Sequence, residues 1–296
     1  LGMSAAMNLP IYMGWKTVLI PKPQAPQLLD AIRKYRPTMS PLVPTMYIGM
    51  LEDPGIKKTD LTCFKLITSG GASLPVEVLN KFRELTGVEI NEGFGMTETS
   101  PQTHLNPFNG KKKPGSIGLP YPDTEVRIVD LETGTKDVPV GEPGEMLFKG
   151  PQITKGYLNR PEETEKSIKD GWLSSGDIAY MDEEGYFFVV DRKKDLIISS
   201  GYNVYPRDIE EVFYEHVKVN KVAVIGIPDQ KRGENIKAFI TLKEGQSATT
   251  DELMEYCRTK LAKYKWPADI EIREALPESN VGKILKKELR AEVLKQ

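Results

Sequence analysis

Residues 64–95 read FKLITSGGASLPVEVLNKFRELTGVEINEGFG. Phe64–Thr68 is an apolar run closed by Ser69-Gly70-Gly71. Val78, Leu79, Phe82 and Leu85 then share one helical face, Pro75 suits a first turn, and Gly87 ends the helix. Val88–Asn91 is the next run. Strand, helix, strand predicts a parallel sheet, because parallel neighbours need a crossover rather than a tight turn. Upstream, Thr17–Ile20 is another short apolar run and Leu28–Tyr35 has helical spacing. Downstream of about Lys111 the texture changes to short β-rich runs, Glu125–Val129, Glu145–Phe148 and Tyr186–Val190, separated by turns such as Gly141-Glu142-Pro143-Gly144. That pattern predicts an antiparallel sheet or small barrel.

After Arg192 the reading becomes α+β. Ile209–Phe213 forms a short helix behind Pro206, Val222–Ile227 and Ile236–Leu242 are strands, and Thr250 suits the N-cap of a helix carrying Leu253, Met254, Cys257 and Leu261. Ile284–Leu294 reads as an amphipathic Lys/Glu-rich helix. The fold class expected is α/β: a larger domain over 1–192 (α/β to 110, β-rich over 111–192), then a small α+β domain over 193–296. The charged stretch Asp191-Arg192-Lys193-Lys194-Asp195 marks the boundary.

Composition narrows the function classes. The 296 residues carry 40 Lys+Arg against 42 Asp+Glu, a formal net charge of -2, which argues against a dedicated nucleic-acid binder. No run is long enough and apolar enough to span a membrane. Cys63 and Cys257 are the only cysteines and show no CxxC spacing, which suits a reducing cytosol rather than a disulfide framework or cysteine zinc site. The chain starts at Leu1 with no signal-like pattern after it.

Several local patterns bear on chemistry. Ser69-Gly70-Gly71-Ala72-Ser73 and Gly93-Phe94-Gly95-Met96-Thr97-Glu98-Thr99 stand where strands of a parallel sheet end, the edge at which such sheets bind ligands. The first lets the backbone approach a flat or anionic ligand closely. The second adds an aromatic face, hydroxyls for phosphate and a carboxylate suited to Mg²⁺. Each alone is as readily a sharp strand-to-helix turn. Gly171–Asp177 reads as an acidic residue on a glycine turn between β runs, able to accept both ribose hydroxyls, though such turns are commonplace. Arg192 offers donors to ribose or phosphate, within what also reads as a solvated charge run. Lys283, on the polar loop Glu278-Ser279-Asn280-Val281-Gly282-Lys283, could neutralise charge on a carboxylate or phosphate, or be one more surface lysine. Neither GxGxxG, GxxxxGK[ST] nor GxSxG is present, so a dinucleotide-dependent oxidoreductase is disfavoured. His104 and His216 read as structural.

In order and spacing, TSGGASLP, NEGFGMTETSP, GEMLFKGPQITKGYLNRPEET, DGWLSSGDIAYMDEEGYFFVVDRKKDLIISSGYNVYP and ESNVGKILKKEL resemble the acyl-adenylate-forming (AMP-binding) enzymes: acyl-CoA synthetases, luciferases and adenylation domains. The likeness is strongest to fatty-acyl-CoA ligases and covers essentially the whole chain. It implies a two-step reaction, in which a carboxylate attacks the α-phosphate of ATP to give acyl-AMP, and the thiol of coenzyme A then displaces AMP. Gly70, Gly71 and Ala72 would line the adenine pocket, with Phe94 and Gly95 beside the base. Thr97 would bind phosphate, and Glu98 would hold Mg²⁺. Asp177 would grip the ribose hydroxyls, and Arg192 the ribose or phosphate. Lys283 would be the adenylation lysine, Lys194 the hinge of a rotating C-terminal domain, and Gly201 a position leaving room for pantetheine.

Two departures from that pattern matter. Ile198 stands where some relatives carry a second lysine. The family's Lys-containing phosphate loop, and the segment before it that shapes the acid pocket, have no counterpart after Leu1. The resemblance therefore implies a C-terminal part of a longer ligase, incomplete for catalysis alone. The partners implied are small molecules (acid, ATP, coenzyme A), with cytoplasmic placement and at most peripheral membrane contact; oligomeric state is not readable. The alternatives are an aryl- or phenylpropanoid-acid ligase, and a non-catalytic nucleotide-binding fragment.

Overall fold

Parallel pairing of consecutive strands makes residues 64–95 the centre of the first sheet. The computed structural model describes residues 2–279 and 282–294, and the chain divides into two compact units, Leu1–Val189 and Val190–Gln296. The first unit opens with a π-helical stretch Gly2–Asn8, then α1 (Leu9–Tyr12), α2 (Ala25–Tyr35), β1 (Met39–Leu42), α3 (Pro44–Glu52), β2 (Leu66–Ser69), α4 (Val76–Thr86) and β3 (Asn91–Phe94). The short strands β4 (His104–Leu105) and β5 (Leu119–Pro120) complete a sheet ordered β1-β2-β3-β4-β5. β1, β2 and β3 are parallel, and β4 and β5 add on antiparallel, so the sheet is mixed.

The apolar face of α4 is narrower than its spacing predicts: Val78 is half-buried and Leu85 is exposed. Leu79 and Phe82 are buried, and Gly87 at φ +70° closes the helix with its N–H on Arg83 O at 2.8 Å. Pro75 caps the helix from outside rather than starting it. Phe82 meets Tyr47 of α3 edge-on at 5.2 Å, and the Tyr47 hydroxyl donates to Thr68 O on β2 at 2.8 Å. Burying each such ring stabilises by about 1.5–3 kcal/mol, which locks α3 and α4 onto the sheet. β1 and α3 were not foreseen, because Met39-Ser40-Pro41-Leu42 shows no period. Thr17–Ile20 forms no strand; it joins α1 to α2.

The β-rich part is an open antiparallel sheet, not a barrel. β6 (Glu125–Val129), β7 (Gly144–Lys149), then α5 (Pro161–Ser167), β8 (Ile168–Lys169), β9 (Trp172–Met181) and β10 (Phe187–Arg192) follow in sequence. The order is β10-β9-β7-β6, with β8 beside β9. Met146, Phe148, Ala179 and Phe187 form its core. His104 is buried against it, edge-on to Phe187 at 4.7 Å, and burial lowers its pKa to about 3.

The second unit contains β11 (Ile197–Ser199), β12 (Tyr202–Val204), α6 (Pro206–Tyr214), β13 (Val219–Asp229), β14 (Gly233–Leu242), α7 (Thr250–Lys260), β15 (Asp269–Ile272) and α8 (Lys286–Val293). β13 and β14 make a long antiparallel pair, and β15 lies parallel to β14. Alternation sorts β13 between two cores. Val222 and Val224 face α6 and α7, packing with Ile209, Phe213, Leu253 and Cys257, while Ala223 and Ile225 face Leu289 of α8. The cap of α7 is Thr249, whose hydroxyl accepts from Glu252 N at 3.1 Å, one residue before the position expected. No helix among the described residues is long and apolar enough to cross a membrane.

Candidate functional site

Parallel pairing places Ser69 beside Glu92, so the two glycine-rich turns leave the sheet side by side. After β2, Gly70 N donates to Leu42 O at 3.2 Å, and Gly71 turns at φ +86° with only Val43 Cγ1 near its absent side chain, at 3.8 Å. Gly71, Ala72 and Ser73 are exposed. The Ser69 hydroxyl, at the foot of this turn, is buried and finds no hydrogen-bond partner among the described residues.

After β3 the glycines answer a different demand. A Cβ on Gly95 would lie 1.8 Å from Pro101 O, and one on Gly93 would lie 2.4 Å from Gln102 Nε2. The chain folds back here, with Thr103 N donating to Phe94 O at 2.9 Å. Only glycine permits that approach. Phe94 is half-buried, its ring 6.0 Å from Phe148 and so partly engaged in the core of the β-rich sheet. A single turn of 3₁₀ helix, Thr97–Thr99, follows. Thr97 is exposed, whereas Thr99 is fully buried, its Oγ1 accepting from Met96 N at 2.9 Å and so fixing the turn.

Glu98 is the half-buried carboxylate of this edge. Tyr157 Oη donates to its Oε1 at 2.8 Å, and Thr154 N donates to its main-chain O at 2.8 Å. Burial, and then the Glu98 carboxylate, raise the Tyr157 pKa. Tyr157 was missed as a site residue; it stands within the quoted GPQITKGYL, but no spacing rule ties it to Glu98. Among the described residues no three His, Cys, Asp or Glu side chains converge on a metal position. A Mg²⁺ arriving with a nucleotide takes one or two carboxylates and completes its octahedron with phosphate oxygens and water. A single carboxylate beside a threonine hydroxyl fits that case, and does not fit a resident multi-carboxylate site.

Asp177 does not lie on a turn between strands. It lies inside β9, at an irregularity. Glu145 pairs with Ile178 and Leu147 with Ser174, so one residue of β7 faces three of β9, Ser175, Gly176 and Asp177. Gly176 takes φ +72° to make this bulge, and Asp177 N donates to Ser175 Oγ at 3.0 Å. Bulges re-aim side chains that strict alternation would bury or expose. The Asp177 side chain is largely buried.

Arg192, Lys194, Gly201 and Lys283 belong to the second unit. Arg192 and Lys194 are exposed, but their neighbours Asp191 and Asp195 are buried, so this is no solvated charge run. Asp191 Oδ2 accepts from Arg207 N at 2.8 Å, satisfying a free donor in the first turn of α6. Asp195 Oδ1 accepts from Arg290 Nη1 at 2.7 Å. β13 is an edge strand, and Glu210 Oε1 accepts from its Val224 N at 2.8 Å and from Lys286 Nζ at 2.7 Å. Burial pushes the Lys286 pKa down, but Glu210, Asp191 and Asp195 outweigh it and leave it raised. Burial pushes the Asp191 carboxyl up, against Lys286.

Gly201 lies in the two-residue turn between β11 and β12, where Ser199 pairs with Tyr202. Ser200 has φ +52° and Gly201 φ +82°, so the glycine serves a hairpin turn with both central residues left-handed, and open space surrounds it. Lys283 is half-buried on a loop closed by Glu278 pairing with Ile284, by Ser279 N donating to Lys283 O at 2.9 Å, and by Leu285 N donating to Pro277 O at 2.8 Å. Asn280 and Val281 of that loop lie outside the described residues.

Residues 208–283 match the AMP-binding enzyme C-terminal domain. The chain is 49% identical over 291 residues to the long-chain-fatty-acid–CoA ligase of Bacillus subtilis (strain 168), covering 98% of this chain and 52% of that protein. Among solved structures it is similar to ATP-bound MatB from Rhodopseudomonas palustris, with TM-score 0.92 and 32% identity over 98% of this chain and 57% of that one. It is also similar to the anthranilate CoA ligase AuaEII in complex with anthranoyl-AMP, with TM-score 0.90 and 32% identity over 98% and 57%. The chain thus spans about half the length of the proteins it matches. Residues 1–158, more than half of the chain, match the AMP-binding enzyme family, and the chain belongs to that family.

Proposed function

We propose that the protein carrying this chain is an AMP-forming acid–thiol ligase that activates a carboxylic acid, a long-chain fatty acid, and passes it to coenzyme A. The observation that supports it most is the pair of glycine turns leaving β2 and β3 side by side, with the buried Ser69 hydroxyl at the end of β2 and the Glu98 carboxylate on the turn after β3. In this reading Gly70, Gly71 and Ala72 form the wall against the adenine, and Phe94 and Gly95 lie beside it. Asp177 accepts the ribose hydroxyls, Arg192 donates to ribose or phosphate, and Thr97 donates to phosphate. Glu98 and Thr97 would hold the Mg²⁺ that accompanies ATP, which when bound supplies charge neutralisation across the phosphates.

A carboxylate approaching a polyphosphate meets like-charge repulsion, and Lys283 supplies the cation that lowers that barrier. One carboxylate oxygen bonds to the α-phosphorus as the bond to pyrophosphate breaks. In the second step the thiol sulfur bonds to the acyl carbon, AMP leaves and the thiol proton is released. Lys194 is the hinge about which the second unit turns between the steps, and the Ser199–Gly201 turn then borders the thiol channel. We place the enzyme in the cytoplasm with at most peripheral membrane contact. A second reading, an aromatic acid, is favoured by the likeness to AuaEII, though at lower identity than to the Bacillus subtilis ligase.

The test is Lys283→Ala in a complete enzyme carrying this sequence. Acyl-AMP formation should fall by about 10²–10³-fold, the worth of one charge-stabilising group, while thioester formation from supplied acyl-AMP is largely spared. Equal loss in both steps would remove Lys283 from this role.

A further inference from the structure

The loop that carries Lys283 is held by side chains that the reading above does not use. Glu278 pairs with Ile284 across the loop, Ser279 N donates to Lys283 O at 2.9 Å, and Lys283 N donates to Ser279 Oγ at 3.2 Å. Lys283 thus stands one residue from the rung that Glu278 forms. Both arms enter a shared apolar core: Leu276 is buried with Ala223, Ile225 and Leu289, and Ile284 packs against them. Just beyond the loop, Glu210 holds Lys286 Nζ at 2.7 Å. On the other arm, Lys221 Nζ donates to Glu278 Oε1 at 2.5 Å.

A bulge in β13 makes that last pair possible. Val219 pairs with Leu242 and Lys221 with Thr241, so Asn220 is an extra residue. Val219 and Val222, three residues apart, then both join the core of Ile209 and Phe213. Lys221 falls on the face of Ala223 and Ile225, which is the face that receives the loop. Strict alternation from Val219 would instead turn position 221 toward the other core.

A lysine is a compact charge on a flexible four-carbon stem. Its reach is fixed only as well as its main chain is, and a misplacement of about 1 Å can cost about 10²-fold in rate. The Lys221–Glu278 pair ties that main chain to a long strand of the sheet. Its side chains are 31% and 23% exposed, against 19% and 15% for Lys286 and Glu210, so it can be broken at a smaller cost to folding.

We propose that Glu278, held by Lys221, is a positioning residue that fixes the reach of Lys283 and so serves acyl-AMP formation, not thioester formation. The proposal rests on the reading of Lys283 as the cation of the first step.

The experiment exchanges the two charges in a complete enzyme carrying this sequence: Lys221→Glu, Glu278→Lys, and both together. Acyl-AMP formation is read from palmitate-dependent exchange between pyrophosphate and ATP, and thioester formation from supplied palmitoyl-AMP and coenzyme A. Each single variant should slow the first step about tenfold, within what misplacement can cost, and spare the second. The double variant, which restores the pair with its charges exchanged, should bring the first step back to within about twofold of wild type. The proposal is overturned by single variants that leave the first step unchanged or slow both steps alike, and by a double variant that restores nothing. Lys283→Ala, measured alongside, separates the two failures. If it slows only the first step while the exchanges do not, this proposal fails and the reading of Lys283 stands; if it spares the first step, both fail. Should the reversed charges prevent folding, Glu278→Gln must slow the first step selectively or the proposal fails.

Discussion

In the first unit most residues of interest sit on turns at strand ends, where glycine backbone and a few hydroxyls do the shaping, and Asp177 sits at a bulge inside β9. Gly71, Ala72 and Thr97 are exposed, and the carboxylate on these turns, Glu98, is held by a neutral phenol. In the second unit the charged groups are drawn inward. Asp191, Asp195, Glu210, Lys286 and Arg290 form a largely buried set joining the start of α6, the edge of β13 and one face of α8. The contrast teaches where each unit is vulnerable. The first depends on steric room and on groups with unmet hydrogen bonds. The second depends on charges that stabilise only while every partner is present.

The sharpest way to break that comparison is Lys286→Ala. The Lys286 and Glu210 side chains are 19% and 15% exposed, so the lysine's removal strands Glu210, and Asp191 behind it, with less compensation. Truncating one partner of a largely buried pair costs about 3 kcal/mol, and urea unfolding of the chain should show that loss. A loss within the scatter of surface substitutions would mean that the buried charges matter no more than exposed ones.

A smaller effect sharpens it from the other unit. His104 titrates at about 3 when folded and near the ordinary histidine value when unfolded. Between those values the unfolded chain binds the proton and the folded chain does not, so stability falls as pH falls. From pH 7 to pH 5 the residue should cost about 2 kcal/mol, and His104→Gln should flatten that part of the stability–pH curve. His216 is the counterpart in the second unit. Burial lowers its pKa too, but Glu252 pulls the other way, so its replacement should flatten the curve less.

The smallest effect concerns binding. Asp177→Ala should weaken AMP affinity about tenfold, as loss of one charged hydrogen-bonding group does. Calorimetry with AMP reads it directly, and unchanged affinity would leave the β9 bulge as a structural feature only.

Strong periodicity was legible in the chain. The centre of the α4 face, the face of α7, and the glycine turns after β2 and β3 follow from residue spacing and type, because a helix that buries one face must repeat at its own period; β13 could be read only as an apolar strand, since it is buried on both faces. Met39–Leu42 and α3 escaped notice because a four-residue strand carrying Pro41 has no repeat to detect. Within the site, the glycine turns, Thr97 and Glu98 could be named from residue type and position. Tyr157 could not, because it stands 59 residues from Glu98, and only the path of the chain through Thr154–Tyr157 brings the phenol to the carboxylate.

What residue order alone determined is therefore local: where strands end, where glycine is needed, which helix faces are apolar, and which motifs stand in the family's sequence. Tertiary structure decided the rest, because it depends on distances between segments remote along the chain. It showed that Gly95 is required by Pro101 and Gly201 by a hairpin turn, that Asp177 lies at a bulge within its strand, and that Asp191 and Asp195 are buried anchors. A charge stretch written in sequence carries no burial, and a buried carboxylate persists only where another part of the fold brings it an N–H or a cation.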